Sequence, residues 1–361
     1  MKLIRKLIKV SRHLLFILTH INWIGFFKYH KKGSKNVVIS NLFSSGRFST
    51  EGICWEFGYI NFLIKNKLNF EYSSLKKMHF NKNIFWSPEI TTTPINIRNY
   101  TSLFAFIALE LENQECNVFP NSYEINYLEN KVFMYEQFKL RNIPHPKTNI
   151  LSSINPNIDQ SFNPNDEESE LEFPLIWKGE HSAGSKDIKL LSEFKDLQKI
   201  IEKKDFKIKN SNIILQEFFD IRRDLRVNVI GNEVVLSFWR INSGKDWKPT
   251  ASEFGATIQH FDLPDELKNE FVKVAQDLDM KICGFDVIFE EDDIKKPFKV
   301  LEVSPRYSPN PFFDVADKSY TYSDFKSKIF TRKSWAFLQS EEIFKHAFKY
   351  LDNIFQGIKE N

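Results

Sequence analysis

Two carboxylates in the C-terminal half are spaced for metal chemistry. Asp286 lies in the apolar run 284–289 and Glu302 in the run 300–305. A polar, proline-containing stretch, 290–297, separates them. Both runs have the length and composition of strands, so they read as an antiparallel pair joined by a loop. If the strands pair, the two acids face one another, and facing carboxylates repel unless a cation lies between them. Hard oxygen ligands without His or Cys suit Mg²⁺, which takes one or two carboxylates together with substrate phosphates. Taken alone, the pair reads more readily as two surface acids on a hairpin.

Cations occur at matching places. Lys178 ends the strand candidate 173–178. The small polar loop after it, 179–186, contains Ser182, Ala183, Gly184 and Ser185. Backbone N–H groups in such a loop can meet phosphate oxygens. It is not a P-loop, because the GxxxxGK[ST] spacing fails and no helix follows directly. Lys131 stands in the first turn of a helix expected over 130–141. Residues 224–230, the turn Gly231-Asn232 and residues 233–240 read as a β-hairpin. Alternation puts Asp224 and Arg226 on one face of its first strand. No Ser-His-Asp or Cys-His arrangement is legible.

The elements that would position these groups follow in order. Strands are expected at 36–40, 83–86 and 116–119, with helices near 51–65 and 100–112, which suggests a small parallel α/β unit. It has no GxGxxG, and Gly46 in a Ser-rich stretch reads as a turn. Residues 152–172, rich in Asn, Pro, Ser and acid, read as a solvated loop. A helix over 192–204, strands at 187–191 and 213–219, and an amphipathic helix over 264–278 complete the body. One or two helices are expected from Ser334 to the end.

The chain has 361 residues, 42% hydrophobic and 27% charged, which implies a globular protein of two or three domains. Residues 1–35 hold nine Lys or Arg and no acid, leaving 41 basic against 47 acidic residues in the rest, a formal −6. That mildly acidic body argues against a broad nucleic-acid-binding face. Cys54, Cys116 and Cys283 are far apart and form no CxxC, as expected in a reducing compartment and without a zinc site. Residues 2–27 read as one basic amphipathic helix, with Leu3, Leu7, Val10, Leu14, Ile17, Ile21 and Ile24 on one face. Its apolar-rich part is shorter than the roughly 20 residues a spanning helix needs, and no signal-peptide cleavage site follows. Such a helix can lie on an anionic membrane surface or pack on its own domain or a second subunit.

The ordered set resembles the ATP-grasp superfamily, and most closely its ribosomal-protein glutamate ligase branch. The series is a lysine opening a helix that ends in Ile143-Pro144-His145-Pro146, a strand lysine with a small-residue loop, a Gln216-Glu217 strand, an Asp224-x-Arg226 hairpin and the strands bearing Asp286 and Glu302. The resemblance spans 117–311. It implies an α/β (α+β) ATP-grasp fold over 121–318, with the small-residue loop subdomain at about 173–215. A basic segment (1–35), a small parallel α/β domain (36–120) and C-terminal helices (319–361) would flank it. It implies ATP and Mg²⁺ as cofactors. Lys131 and Lys178 would contact the phosphates, and Ser182, Gly184 and Ser185 would close over them. Gln216, Glu217, Phe218 and Phe219 would hold the adenine, and Asp224 would complete the nucleotide site. Arg226, Arg240 and Lys248 would serve the reacting groups, and Asp286, Glu302 and Ser304 the metal.

Two departures stand out. The last strand carries Glu302-Val303-Ser304 where the family usually has Glu-x-Asn. The segment after the hairpin, 246–255, lacks the family's arginine and asparagine. The implied function is an ATP-dependent carboxylate–amine ligase acting through an acyl phosphate, in surface glycan or peptide modification. A hydroxyl-directed kinase and a non-catalytic nucleotide-binding protein stay open as alternatives. Expected partners are small carboxylate and amine substrates, a membrane surface through residues 1–30 and a second copy of the chain. The expected location is cytoplasmic, at the inner face of the membrane.

Overall fold

The computed structural model describes residues 21–40, 50–87, 100–151, 171–181, 187–202, 212–242, 247–250, 256–305 and 320–321. The expectations for residues 2–20, for Gly46, for the loop 182–186, for most of 246–255 and for the C-terminal helices lie outside them. The chain divides into two compact units; their described residues fall in 21–125 and in 126–305 with 320–321.

The first unit is a parallel α/β layer. Strands β1 (Asn36–Ile39), β2 (Phe70–Ser73), β3 (Asn83–Phe85) and β4 (Asn117–Phe119) line up in the order β2-β1-β3-β4, every pair parallel. Helices α1 (Trp23–Tyr29), α2 (Thr50–Lys65), α3 (Tyr100–Asn113) and α4 (Ser122–Ile125) accompany it. All four β1 residues are buried, as expected of a strand inside a parallel sheet. Val37, Ile39, Ile84, Trp86, Leu111 and Val118 belong to one apolar cluster.

The expected continuous helix over 2–27 is broken. Asn22 is a non-helical N-cap whose side chain accepts from Gly25 N–H, so α1 begins at Trp23. The break separates Ile21, which is buried, from Ile24, which is 85% exposed. They therefore do not share a face. Gly25 is required here, since a Cβ would collide with Ile64 of α2. Among the described residues no helix is long and apolar enough to cross a membrane.

The second unit has two antiparallel sheets. Strands β5 (Thr148–Leu151), β6 (Leu175–Gly179), β7 (Ile188–Leu191) and β8 (Ile213–Glu217) form one, ordered β5-β8-β6-β7. Leu151, Leu175, Trp177, Leu191 and Leu215 from its strands pack with Leu197 and Ile200 of α6 (Phe194–Glu202). Helix α5 (Lys131–Leu140) precedes β5, and Asn130 caps it by accepting from Phe133 N–H.

The larger sheet contains β9 (Arg223–Ile230), β10 (Glu233–Ile241), β11 (Thr257–His260), β12 (Ile282–Phe289), β13 (Phe298–Ser304) and β14 (Tyr320–Thr321). Their order is β13-β12-β9-β10-β11-β14. Alternation gives this sheet two unlike faces. Leu225, Val227, Val229, Phe285 and Val287 are fully buried on one. Helix α7 (Asp265–Asp277) covers that face through Phe271, whose ring lies 6.2 Å from Phe285 and 4.8 Å from Phe298. The other face carries Asp224, Arg226, Arg240, Asp286 and Glu302. The turn Gly231-Asn232 closes β9 onto β10 as read from sequence, with Gly231 at φ 58°.

Candidate active site

Register places the charged groups. Asp286 stands between Glu302 of β13 and Arg226 of β9, and Arg240 of β10 stands opposite Asp224. The paired carboxylates read from sequence do face one another, but cations already neutralise Asp286. Arg240 NH2 is 3.0 Å from Asp286 Oδ2, and Arg226 NH2 donates to the same oxygen at 3.2 Å. Arg226 Nε lies 2.6 Å from Oδ1, with neither atom aligned for a hydrogen bond. Arg240 Nε donates to Asp224 Oδ1 at 2.8 Å, and its NH2 to Oδ2. The result is a part-buried ladder, Arg226–Asp286–Arg240–Asp224, across three strands. Thr250 extends it by hydrogen-bonding Asp224.

Burial and pairing act in opposite senses along this ladder. Burial would raise the Asp286 pKa, but Arg226 and Arg240 overcome it and hold the carboxyl below its usual range. Burial dominates at Asp224 and raises it, against the pull of Arg240. Burial opposes the Arg240 charge, yet the two aspartates hold its pKa above the ordinary arginine value. Glu302 has no ion-pair partner among the described residues.

Lys178 meets this face from the smaller sheet. Its Nζ donates to Tyr135 Oη at 2.9 Å and lies 5.6 Å from the ring centroid. Tyr135 in turn donates to Leu301 O at 2.8 Å. That relay ties β6, α5 and β13 together beside Glu302. Burial pushes Lys178 down to about 8, while Glu302, Asp286 and Asp224 draw it back up. Burial also raises the Tyr135 pKa. Lys131, the first residue of α5, is buried, and its N–H donates to Glu180 O at 3.1 Å. Glu180 accepts from Asn212 N–H at 2.8 Å, which fixes the start of the small-residue loop. Ser182, Gly184 and Ser185 of that loop lie outside the described residues.

The remaining expected residues sit around this centre. Gln216 Nε2 donates to Thr148 Oγ1 at 2.9 Å, and Gln216 also bonds the Tyr135 hydroxyl. Glu217 uses its N–H on Lys147 O at 2.9 Å, and its carboxylate lies 3.9 Å from Lys299. Phe219 lies under Lys299, and Phe218 packs edge-on against Trp247 at 6.0 Å. Lys248 is tied in through its carbonyl, which accepts from Asn242 at 2.7 Å. Ser304 falls opposite Gly284, two register rows beyond Glu302. Three side chains of the site were not singled out from the sequence: Tyr135, Lys299 and Asn228. Tyr135 is one helical turn beyond Lys131, and Asn228 continues the alternation of Asp224 and Arg226; both signals were present in the spacing.

A polar sheet face that sets two guanidinium groups and an ammonium among three carboxylates can meet an anion through its N–H groups and a cation through its oxygens. The family comparison decides which kind. Residues 130–308 match the model of the RimK-like ATP-grasp domain. This region is a RimK-like ATP-grasp domain. It belongs to the ATP-grasp carboxylate–amine ligases, a ligase family whose members use ATP with Mg²⁺.

Two curated relatives are similar over this region. The tetrahydromethanopterin:alpha-L-glutamate ligase of Methanocaldococcus jannaschii is 29% identical over 216 residues, covering 58% of this chain and 69% of that protein. The alpha-aminoadipate–LysW ligase LysX of Saccharolobus solfataricus is 27% identical over 168 residues, 46% of this chain and 58% of that protein. Among solved structures, the D-alanine–D-alanine ligase of Bacillus anthracis shares the fold with a TM-score of 0.54 at 14% identity, over 90% of this chain and 96% of that one. A RimK domain ATP-grasp protein of Sphaerobacter thermophilus shares it with a TM-score of 0.51 at 14% identity, over 89% and 99%.

Proposed function

We propose that the chain joins a carboxylate to an amine at the expense of ATP. The carboxylate oxygen attacks the γ-phosphorus and ADP departs. The amine then attacks the acyl carbon, and inorganic phosphate leaves with the former carboxylate oxygen as the amide forms. The observation that carries this reading is the meeting of Lys178 with the Arg226–Asp286–Arg240 ladder and Glu302. It sets fixed N–H donors beside carboxylates that could hold a metal, where a phosphoryl group would transfer.

Each residue has work to do in it. Lys131 and Lys178 offset the polyphosphate charge, and the loop through Ser182, Gly184 and Ser185 closes over it. The strand from Gln216 to Phe219 takes the adenine. Arg226 offers two N–H groups to a carboxylate or phosphate oxygen, with Arg240, Asp224 and Lys248 holding or supplementing it. Asp286, Glu302 and Ser304 are oxygen donors without His or Cys, which fits Mg²⁺. Glu302, without an ion-pair partner among the described residues, is the first ligand in this reading. When bound, Mg²⁺ supplies Lewis-acid polarisation of the phosphates.

The relatives' names contain two amino dicarboxylates, glutamate and aminoadipate, and we place one substrate in that class. The acceptor we place among surface glycans or peptides, because residues 1–35 hold nine cations and no acid. Ile24 and Phe27 are 85% and 75% exposed on α1, as expected of a contact with an anionic membrane. Liposome co-sedimentation of the full chain against a chain lacking residues 1–30 tests this; equal binding contradicts it. The reaction is tested by ADP and phosphate release with MgATP and pooled amino acids. We expect release only when a carboxylate and an amine are both present. A phosphorylated acceptor without an amide contradicts the ligase.

A further inference from the structure

Helix α3 carries apolar side chains around almost its whole circumference, and a helix of that kind is normally covered on every side. Ala108 and Leu111 join the apolar cluster of the parallel sheet. Leu103, Phe106 and Leu109 recur every third residue on the opposite side and are 40%, 59% and 46% exposed. Met78 and Phe80, between β2 and β3, are 72% and 57% exposed. These five are most of the eight large apolar side chains that stand exposed among the described residues.

The two groups adjoin. His79 N–H donates to Gln114 Oε1 at 3.2 Å and Asn81 N–H to Gln114 O at 2.8 Å. Phe80, between them, is thereby held at the C-terminal end of α3, where the row Phe106, Leu109 and Asn113 arrives. With about 200 Å² for a large side chain, the five expose roughly 500 Å². Homodimer interfaces are about 65% apolar, so this is the apolar part of a contact of about 800 Å² per copy, the standard size.

Charge indicates what covers it. The last turn of α3 holds Glu110 and Glu112 and no base, although a helix C-terminus favours cations. Glu112 accepts from the N–H and the hydroxyl of Ser122. Glu110 is exposed and has no ion-pair partner among the described residues. The loop before Met78 bears Lys76 and Lys77. Lys77 lies 3.6 Å from Glu71, whereas Lys76 is exposed and has no ion-pair partner among the described residues. The surface thus has two adjoining halves, apolar and acidic on α3, apolar and basic on the loop. A two-fold contact uses one surface on both copies, so each half can meet the opposite half of its mate.

We propose that this edge of the parallel unit is the interface of a two-fold dimer of the chain. The stripe of α3 on one copy lies against the loop 76–80 of the other, and Glu110 meets the partner's Lys76. The inference is independent of the reaction.

Sedimentation velocity of the full chain from about 1 to about 100 µM tests it. The expected wild type dimerises within this range. Phe106→Glu, or Leu109→Glu should the first variant not fold, is expected to weaken dimerisation at least tenfold with an unchanged circular dichroism spectrum. Glu110→Lys and Lys76→Glu each set like charges at both cross-contacts, so each alone should weaken it about tenfold at low salt. An equimolar mixture of these two variants restores both opposite-charge contacts and should dimerise as the wild type does. A wild type that stays monomeric overturns the inference and leaves the stripe to the chain's own terminal segments or to another protein. A dimer untouched by the folded apolar variant overturns it by placing the interface elsewhere. Charge variants that dimerise normally alone, or that fail to recover on mixing, overturn the two-fold pairing.

Discussion

Lys178 makes the most quantitative claim. Burial lowers its pKa from 10.5 to about 8, and each unit is worth about 1.4 kcal/mol. Keeping this ammonium charged in the folded, ligand-free chain therefore costs about 3 kcal/mol. Below pH 8 the folded and unfolded chains both hold the proton, and the folded state bears the whole cost. Between pH 8 and 10.5 the unfolded chain binds a proton that the folded chain has released, so stability rises with pH. Replacing Lys178 by Met removes the cost but also the bond to Tyr135, worth about 1 kcal/mol; the Tyr135 hydroxyl keeps Leu301 O as acceptor. The net expectation at pH 7 is a gain of about 2 kcal/mol, with nucleotide binding lost. Urea denaturation of both proteins from pH 7 to 10.5 reads the difference directly, and it should shrink as pH rises through 8. A Lys178→Met chain less stable than wild type at pH 7, or a difference independent of pH, would refute the argument.

Other consequences follow from the same geometry. Arg240→Met leaves Asp224 buried without its cation and Asp286 with Arg226 alone, and should cost about 3–5 kcal/mol, measurable by chemical denaturation. Phe271→Ala opens the apolar side of the large sheet and should cost about 3–5 kcal/mol, with α7 amides losing hydrogen-exchange protection. In Gly179→Ala a Cβ would come within 2.8 Å of Asp187 Cβ, so a loss of about 1–3 kcal/mol is expected from overpacking, measurable as a lower urea midpoint. ADP affinity should fall above pH 8, and calorimetry in buffers of different ionisation enthalpy should show proton uptake on binding there.

Much of the fold was legible because its signals are local. The turn at Gly231-Asn232, the helix start near Lys131 and the alternation through Asp286 and Glu302 each depend on a few neighbouring residues. Strand β2 was not read, because Phe70–Ser73 is short and follows a helix without clear punctuation. The single helix over 2–27 failed because Asn22 satisfies Gly25 N–H with its side chain, which an apolar 3-4 repeat does not reveal.

The site was half legible. Residue types and order singled out Lys131, Lys178, Arg226, Asp286 and Glu302, and the fold brings the last four together. The sequence could not show that Asp286 is held by two arginines. That depends on β12 pairing with β9 rather than with another strand, a register set over about 60 residues of separation. Tyr135 falls within the expected helix over 130–141 with no mark of its own, although its hydroxyl links Lys178 to β13.

The central claim is that the polar face of the six-stranded sheet holds a magnesium nucleotide. MgATP titration by calorimetry of the wild type, Lys178→Ala and Glu302→Ala tests it most directly. Saturable binding is expected of the wild type, loss in Lys178→Ala, and in Glu302→Ala a weakening that is larger with Mg²⁺ than without. A wild type that binds no MgATP, or two variants that bind it as the wild type does, would contradict it.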